Sequence, residues 1–273
     1  MTIRPLYVER RGNGPVVMLL HGFTGSGPSM SEVSLALARD FEVITPDLPG
    51  HGRSIAVDDG PVHSFDACLD RLAATLDQAG HARAHWIGYS MGARLALAFA
   101  VRFPERVASL LLIGARAGID NASERAGRRR ADEALADRIE TDGIEPFVDE
   151  WLAQPLFASQ RQLGREFVAT QRLQRMGNDA RGLAASLRGL GPGAQPPLFD
   201  DLRRLDVPVL LVAGALDHAF VAHARDVERR LPDAEVCEVA DAGHAVHLEQ
   251  PAAFIEAARE FLGRAGRPAG AIH

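Results

Sequence analysis

Short apolar runs alternate along the chain with longer stretches of helical character. The runs occupy residues 15–20, 41–45, a stretch ending at Ile87, 107–113, 207–213 and 234–239. Several of them contain no charged residue, which is typical of strands covered on both faces. Helical stretches separate them, such as residues 65–79, whose leucines share one face. This alternation predicts βαβ units and an α/β fold with a mostly parallel sheet flanked by helices.

The alternation stops after Gly114. Residues 115–197 contain no strand-like run, and their polar, helix-forming sequence is interrupted by several glycines and prolines. We expect several short helices here, inserted into the sheet domain as a lid. The predicted organisation is a core made of residues 1–114 and 198–273, with the lid between them. Residues 3–10 alternate weakly and predict a short edge strand.

A G-x-S-x-G pattern lies between an apolar run and an apolar helical stretch. Ser90 is its serine, and Gly88 and Gly92 flank it. With 26 Gly in the chain the bare pattern carries little weight, but the order of strand, tight turn and helix is that of a nucleophile elbow. Glycine suits this turn because a side chain at either flanking position would collide with neighbouring backbone. The context predicts that Ser90 is exposed above the sheet as a reactive hydroxyl.

Two further residues follow later predicted strands and complete a catalytic arrangement. Asp217 comes after the run at 207–213, and His244 comes after the run at 234–239. The order Ser, Asp, His is that of the α/β-hydrolase fold, in which the histidine takes the serine proton and the aspartate orients the imidazole. His247 is the alternative base, whereas His218 is expected to be a bystander.

The glycine-rich loop at residues 21–27 predicts part of an oxyanion hole. The chain has no lysine and no G-x-x-x-x-G-K-[ST] pattern, so this loop is not a P-loop. In α/β-hydrolases such a loop supplies one backbone N–H and the residue after the nucleophile supplies the other. The residues expected to provide them are Phe23 and Met91.

Arg94 lies in the first turn of a predicted helix that is otherwise apolar on every side. Such a helix is buried, and a buried guanidinium is costly unless it has an anionic partner. The residues alone leave two possibilities open. Either a carboxylate of the protein pairs with Arg94, or Arg94 binds an anionic substrate close to Ser90.

Composition narrows the class of protein. The net charge of -6 does not suggest a nucleic-acid partner. Cys68 and Cys237 are too few for a disulfide framework. Residues 1–14 contain no apolar core like that of a signal peptide, and no apolar run approaches the length of a membrane span. The histidines show no metal-binding pattern. We therefore expect a soluble cytoplasmic protein without a metal; the oligomeric state is not predicted.

Several motifs along the chain are shared among α/β-hydrolases. They are HGFTGS at 21–26, DLPGHG at 47–52, GYSMGAR at 88–94 and AGHAVHLEQP at 242–251. More specific stretches lie in the predicted lid, FVDEWLAQPLFASQ at 147–160 and GLAASLRGLGPGAQPPL at 182–198. Together these motifs resemble the MenH family of SHCHC synthases, and the resemblance covers nearly the whole chain.

This resemblance implies a lyase that removes pyruvate from the tricarboxylate SEPHCHC to give SHCHC in menaquinone biosynthesis, without a metal or organic cofactor. It implies a triad of Ser90, Asp217 and His244. It also implies substrate-binding residues, which are Arg94, Arg128, Arg172, Tyr89 and Trp151. A slip of one residue would exchange Arg128 for Arg129 or Arg130. Residues 214–220 depart from the G-E-x-D-x-K-F expected for the family.

Two other functions remain possible on the sequence alone. A serine hydrolase, either an esterase or a C–C bond hydrolase, would use the same triad with Ser90 as a covalent nucleophile. A binding or sensing protein could use the same scaffold, but the intact triad argues against that.

Overall fold

The computed structural model describes residues 3–54 and 64–265, and the remaining parts of the predicted core lie outside the described residues. A sheet of seven strands runs through the centre in the order β1-β3-β2-β4-β5-β6-β7. The strands are β1 Val8–Arg11, β2 Val16–Leu20, β3 Glu42–Pro46, β4 Ala84–Tyr89, β5 Val107–Ile113, β6 Val209–Gly214 and β7 Ala234–Val239. Only the β1–β3 pair is antiparallel; the other neighbours are parallel.

Helices connect the strands and cover the sheet. They are α1 Ser31–Leu37, α2 Phe65–Gln78, α3 Met91–Arg102, α4 Ala122–Asp142, α5 Ile144–Ala153, α6 Arg165–Met176, α7 Ala180–Leu190, α8 His218–Glu228, α9 Val246–Glu249 and α10 Pro251–Ala265. No helix within residues 3–54 and 64–265 combines the length and the apolar character needed to cross a membrane.

Alternate residues of each central strand enter two separate cores, one on each face of the sheet. In β2, Met18 belongs to the core beneath α2, α3 and α8, whereas Val17 belongs to the core beneath α1 and α10. Because both faces are covered, both sets of side chains must be apolar, which explains the unbroken apolar runs. The prediction of a mostly parallel α/β sheet flanked by helices is confirmed.

The described chain between β5 and β6 forms the four α-helices α4–α7, two 3₁₀-helices over Pro155–Leu163 and Leu202–Arg204, and no strand. These helices have a small apolar core of their own, which includes Ile139, Phe147, Val148 and Leu187. Phe23, from the loop after β2, packs against this core and against the core beneath α3. The inserted helices therefore lie over the carboxyl ends of the strands, where the loops carrying the predicted catalytic residues converge.

Candidate active site

Ser90 occupies a sharp turn between β4 and α3. Its φ of 51° lies in the left-handed region, which costs energy for a residue with a side chain. The turn needs its glycines, because a Cβ at Gly88 would lie 2.5 Å from the carbonyl carbon of Gly92. A Cβ at Gly92 would in turn lie 2.5 Å from the backbone oxygen of Leu20. The predicted elbow geometry therefore follows from close backbone packing.

Three side chains from separate loops form one hydrogen-bonded chain. His244 Nε2 lies 3.1 Å from Ser90 Oγ, and His244 Nδ1 lies 2.9 Å from Asp217 Oδ2. Asp217 is itself fixed at the start of α8, where its other carboxylate oxygen accepts a hydrogen bond from Phe220 N at 3.3 Å. A serine hydroxyl, an imidazole and a carboxylate in this order can move a proton from the hydroxyl to the imidazole.

The His244 ring is held from several sides. It is 3% exposed, and the ring of Phe220 lies 4.4 Å away between centroids. Gly114, at the end of β5, has a φ of +63°, and a Cβ there would lie 2.8 Å from His244 Cε1. Glu249 fixes the loop by accepting hydrogen bonds from Gly243 N and Ala245 N. Gly114 and Glu249 thus position the imidazole, a role that the sequence patterns did not indicate.

His247, the alternative base, has a different environment. It is buried, its ring lies 4.5 Å from that of Tyr89, and its Nδ1 has no hydrogen-bond partner among the described residues. Burial, with smaller effects of His244 and Arg175, lowers the pKa of His247 to about 3. Ser90 Oγ is hydrogen-bonded to His244 Nε2 and not to His247, which favours His244 as the base.

A cavity of about 460 Å³ opens over Ser90 and His244. Met91 and Phe23 contribute to its lower wall, and Arg128, Trp151 and residues of α7 contribute from the inserted helices. The cavity is therefore enclosed between the sheet domain and the insertion. Its volume lies in the range of small-molecule sites.

Arg94 faces this cavity from α3 and is only 6% exposed. Its Nη2 donates to the backbone oxygen of Leu190 at 2.9 Å, whereas its Nη1 is buried and has no hydrogen-bond partner among the described residues. Burial is the main cause that lowers the pKa of Arg94, and Arg128 adds to it. Arg94 forms no ion pair with a described carboxylate. Of the two possibilities left open by the sequence, this favours an anionic ligand.

Arg128 lines the same cavity from α4. Its Nε donates to Asp132 Oδ1 at 2.7 Å, which orients the guanidinium, and its side chain is 41% exposed. Arg129 lines a separate surface cavity, and Arg130 lines neither. Among the three consecutive arginines, the structure brings Arg128 to the cavity.

Arg172, one of the predicted substrate-binding residues, lies away from the cavity in this structure. This residue lies on the exposed side of α6, where it donates hydrogen bonds of 2.6 Å to Asp149 and to Glu145, and it does not line the cavity. The helix α6 is polar on most sides, so its sequence does not determine which face turns inward. An arginine at 172 instead joins a surface network of charges.

Arg175, one turn further along α6, is the inward-facing arginine and was missed. It is 7% exposed, its Nη1 donates to Gln171 Oε1 at 2.7 Å, and its Nε has no partner among the described residues. Burial lowers its pKa. Arg175 lines a small cavity beside the catalytic one, together with Phe23, Tyr89 and His247.

The two predicted aromatic residues occupy different positions. Trp151 lines the catalytic cavity, with its ring 5.3 Å from that of Phe23 and its Nε1 unpaired among the described residues. Tyr89 is 8% exposed and lines only the small adjoining cavity. Burial raises the pKa of Tyr89, so its hydroxyl stays protonated at neutral pH.

Comparison with known proteins places this arrangement in a family. The alpha/beta hydrolase fold family matches residues 15–251. A Bacillus subtilis protein provisionally named 2-succinyl-6-hydroxy-2,4-cyclohexadiene-1-carboxylate synthase is 41% identical over 90% of this chain and 89% of its own.

A synthase of the same name from Yersinia pseudotuberculosis is 33% identical over 91% of this chain and 88% of its own. The solved structure of MenH from S. aureus superposes with a TM-score of 0.91 at 30% identity, covering 95% of this chain and 99% of that one. The chain therefore belongs to the alpha/beta hydrolase fold family and, within it, to the family of 2-succinyl-6-hydroxy-2,4-cyclohexadiene-1-carboxylate (SHCHC) synthases.

Proposed function

We propose that this protein is a carbon–oxygen lyase that eliminates pyruvate from SEPHCHC and forms SHCHC, a step of menaquinone biosynthesis. The observation that carries the proposal is the shared cavity of Ser90, His244, Arg94 and Arg128, where a proton-abstracting group faces guanidinium groups. Family membership supports the same reaction. A substrate with three carboxylates needs fixed cations, and arginine binds carboxylates with two parallel hydrogen bonds.

The triad acts as a base rather than as a covalent nucleophile in this reaction. His244 Nε2 accepts the hydroxyl proton of Ser90, and Ser90 Oγ removes the acidic ring proton next to the succinyl carbonyl. The electron pair of that C–H bond forms a ring double bond while the C–O bond to the pyruvyl group breaks. The leaving oxygen takes the proton from His244, so pyruvate departs as its enol and the triad returns to its starting state.

Backbone amides of Phe23 and Met91 stabilise the enolate-like charge on the succinyl carbonyl during this step. Met91 is the first residue of α3, so its N–H has no partner within the helix and lies at the positive end of the helix dipole. Both residues line the cavity beside Ser90. Donors fixed before the reaction contribute more than mobile water, because they need no reorganisation.

Residues 115–197 act as a lid over this site in our proposal. They contribute Arg128 and Trp151 to the cavity, and the sheet domain, residues 1–114 and 198–273, contributes Ser90 and Arg94 from the other side. The substrate is then held between the two parts, with Trp151 against its ring. We expect the reaction in the cytoplasm, because the two free cysteines suit a reducing compartment.

The test is pyruvate release from freshly made SEPHCHC, measured for the wild type, for Ser90→Ala and for Ser34→Ala. Ser34 is a buried serine of α1, outside the cavity, and controls for the loss of a hydroxyl. We expect brisk release by the wild type, unchanged release by Ser34→Ala, and a loss of about a thousandfold or more in Ser90→Ala. Absence of release, with rapid turnover of nitrophenyl esters instead, would show a serine hydrolase.

A further inference from the structure

Arg116 is a third arginine at the catalytic cavity. It follows β5 by three residues and lines the cavity together with Arg94 and Arg128. It also lines a second cavity of about 480 Å³, and His223 is the other residue common to both. Arg116 and His223 therefore form part of the wall between the two cavities.

The Arg116 side chain has no partner that explains its position. Its Nε is buried without a hydrogen bond among the described residues. The backbone oxygen of Arg116 accepts a hydrogen bond from Gln195 Nε2 at 3.1 Å, but this bond does not involve the guanidinium. The residue as a whole is half-buried, so the other guanidinium nitrogens are free to meet solvent or a ligand, but burying the Nε without a partner costs free energy.

Arg116 shares the catalytic cavity with two other arginines, whereas carboxylates line the second cavity. Burial lowers the pKa of Arg116, and the nearby charge of Arg128 lowers it further. Burial is also the main cause that lowers the pKa values of Arg94 and His223, and Arg116 is a smaller cause for both. One carboxylate, Asp132, lines the catalytic cavity, and it is already bound to Arg128 Nε and to a backbone amide. The second cavity contributes carboxylates at its outer wall, which are those of Asp120, Glu124 and Asp226. Among the described residues, none of these forms an ion pair with Arg116.

We propose that Arg116 is a specificity-determining residue that binds one carboxylate of the substrate, completing with Arg94 and Arg128 a cluster of three guanidinium groups for three carboxylates. The identity of the substrate rests on the function proposed above. The inference that Arg116 helps to bind a polyanion does not depend on that function. Arg116 lies in the wall between the two cavities, so it binds the substrate carboxylate that is directed toward the second cavity. The three guanidinium groups repel one another, and a bound polyanion supplies negative charge beyond that of Asp132.

The kinetic test uses Arg116→Gln, Arg116→Lys and, as a matched control, Arg264→Gln. Arg264 lies on α10 outside both cavities and pairs with Glu235 on the surface, so it controls for the loss of one positive charge. Arg116→Gln should raise KM for SEPHCHC about tenfold to a hundredfold, as expected for a lost charge-assisted hydrogen bond, with kcat changed less than threefold. Arg116→Lys should recover part of KM, and Arg264→Gln should match the wild type.

A binding test separates this inference from the proposed reaction. Trimellitate, a benzene ring with three carboxylates, and phthalate, with two, are titrated into the wild type and into Arg116→Gln by calorimetry. The wild type should bind trimellitate more tightly than phthalate. Arg116→Gln should lose most of this difference in affinity, while its thermal unfolding temperature stays unchanged. Neither probe needs turnover, so the result holds even when the wild type releases no pyruvate from SEPHCHC.

Three outcomes are decisive. A raised KM together with a lost preference for trimellitate supports a carboxylate-binding Arg116. An unchanged KM and an unchanged preference overturn the inference, even when the wild type is an active lyase. A fall in kcat and in thermal stability, with KM and the preference intact, also overturns it, because Arg116 would then support the fold rather than bind the ligand.

Discussion

Replacement of Arg94 by methionine should separate ligand binding from stability. Methionine keeps the unbranched apolar stem of the arginine and removes the guanidinium. In the wild type Arg94 Nη2 donates to the Leu190 oxygen, and Nη1 has no hydrogen-bond partner among the described residues. Loss of one charge-assisted hydrogen bond to a carboxylate is worth about 1.5–3 kcal/mol. This corresponds to a fall of roughly 10- to 150-fold in kcat/KM.

The free energy of unfolding should respond differently. The variant loses the hydrogen bond to Leu190, which costs about 1 kcal/mol, but it no longer buries a charge that lacks an ion-pair partner among the described residues. Replacing buried charges by apolar side chains of similar volume is often neutral or stabilising. We therefore expect Arg94→Met to lose no more than about 1 kcal/mol in the free energy of unfolding.

The assay couples pyruvate release to lactate dehydrogenase and compares Arg94→Met with Arg161→Met. Arg161 is exposed, and its Nη2 donates to the backbone oxygen of Ala153, so its replacement also removes one charge and one hydrogen bond to a backbone oxygen. Urea unfolding of the same preparations measures stability. Equal losses of activity in the two variants would refute the reasoning. So would a large loss of stability in Arg94→Met with full activity per folded molecule.

Two further predictions concern α6 and the buried histidine. Arg172→Gln should change kcat/KM less than twofold, because Arg172 binds surface carboxylates. Arg175→Gln should lower kcat/KM about tenfold or more, because a buried cation is lost beside the site. Steady-state kinetics measure both variants, and a larger loss in Arg172→Gln than in Arg175→Gln would contradict the placement. His247 has a pKa of about 3 in the folded protein and of 6.5 in an unfolded chain. Between these pH values only the unfolded state binds the proton. The free energy of unfolding therefore falls as the pH falls. His247→Gln should reduce the pH dependence of the free energy of unfolding by about 1.4 kcal/mol per pH unit. Urea unfolding at pH values on both sides of 6.5 measures this dependence. The same dependence in the variant and the wild type would mean that the histidine is protonated in the folded protein.

The sheet could be predicted because its strands are marked by burial on both faces. Residues 15–20 and 107–113 are apolar at consecutive positions, and the structure explains this by two cores that take alternate side chains. The strand order could not be predicted in the same way. The antiparallel pairing of β1 with β3 depends on contacts between distant parts of the chain, which local patterns do not encode.

The candidate site could likewise be predicted only in part. Ser90, Asp217 and His244 follow predicted strands in a characteristic order, so sequence position alone suggested that they meet. The arginines of the insertion gave no such signal. Arg172 and Arg175 differ by less than one turn of a polar helix, and only the packing of α6 decides which one turns inward. Arg116 lies in an irregular segment without periodicity, so its direction was not predictable.

The insertion leaves the sheet at the end of β5 and returns at β6, and these two strands are neighbours with parallel register. The two ends of the insertion lie close together, because Leu198 N donates a hydrogen bond to the backbone oxygen of Ala117 at 2.8 Å. Ser90 precedes the insertion, and Asp217 and His244 follow it. Substitution, lengthening or shortening within residues 115–197 can change the cavity wall without shifting the strands that hold the triad. Evolution can thus change which ligand the cavity accepts within one segment, while Ser90, Asp217 and His244 stay in place in the other.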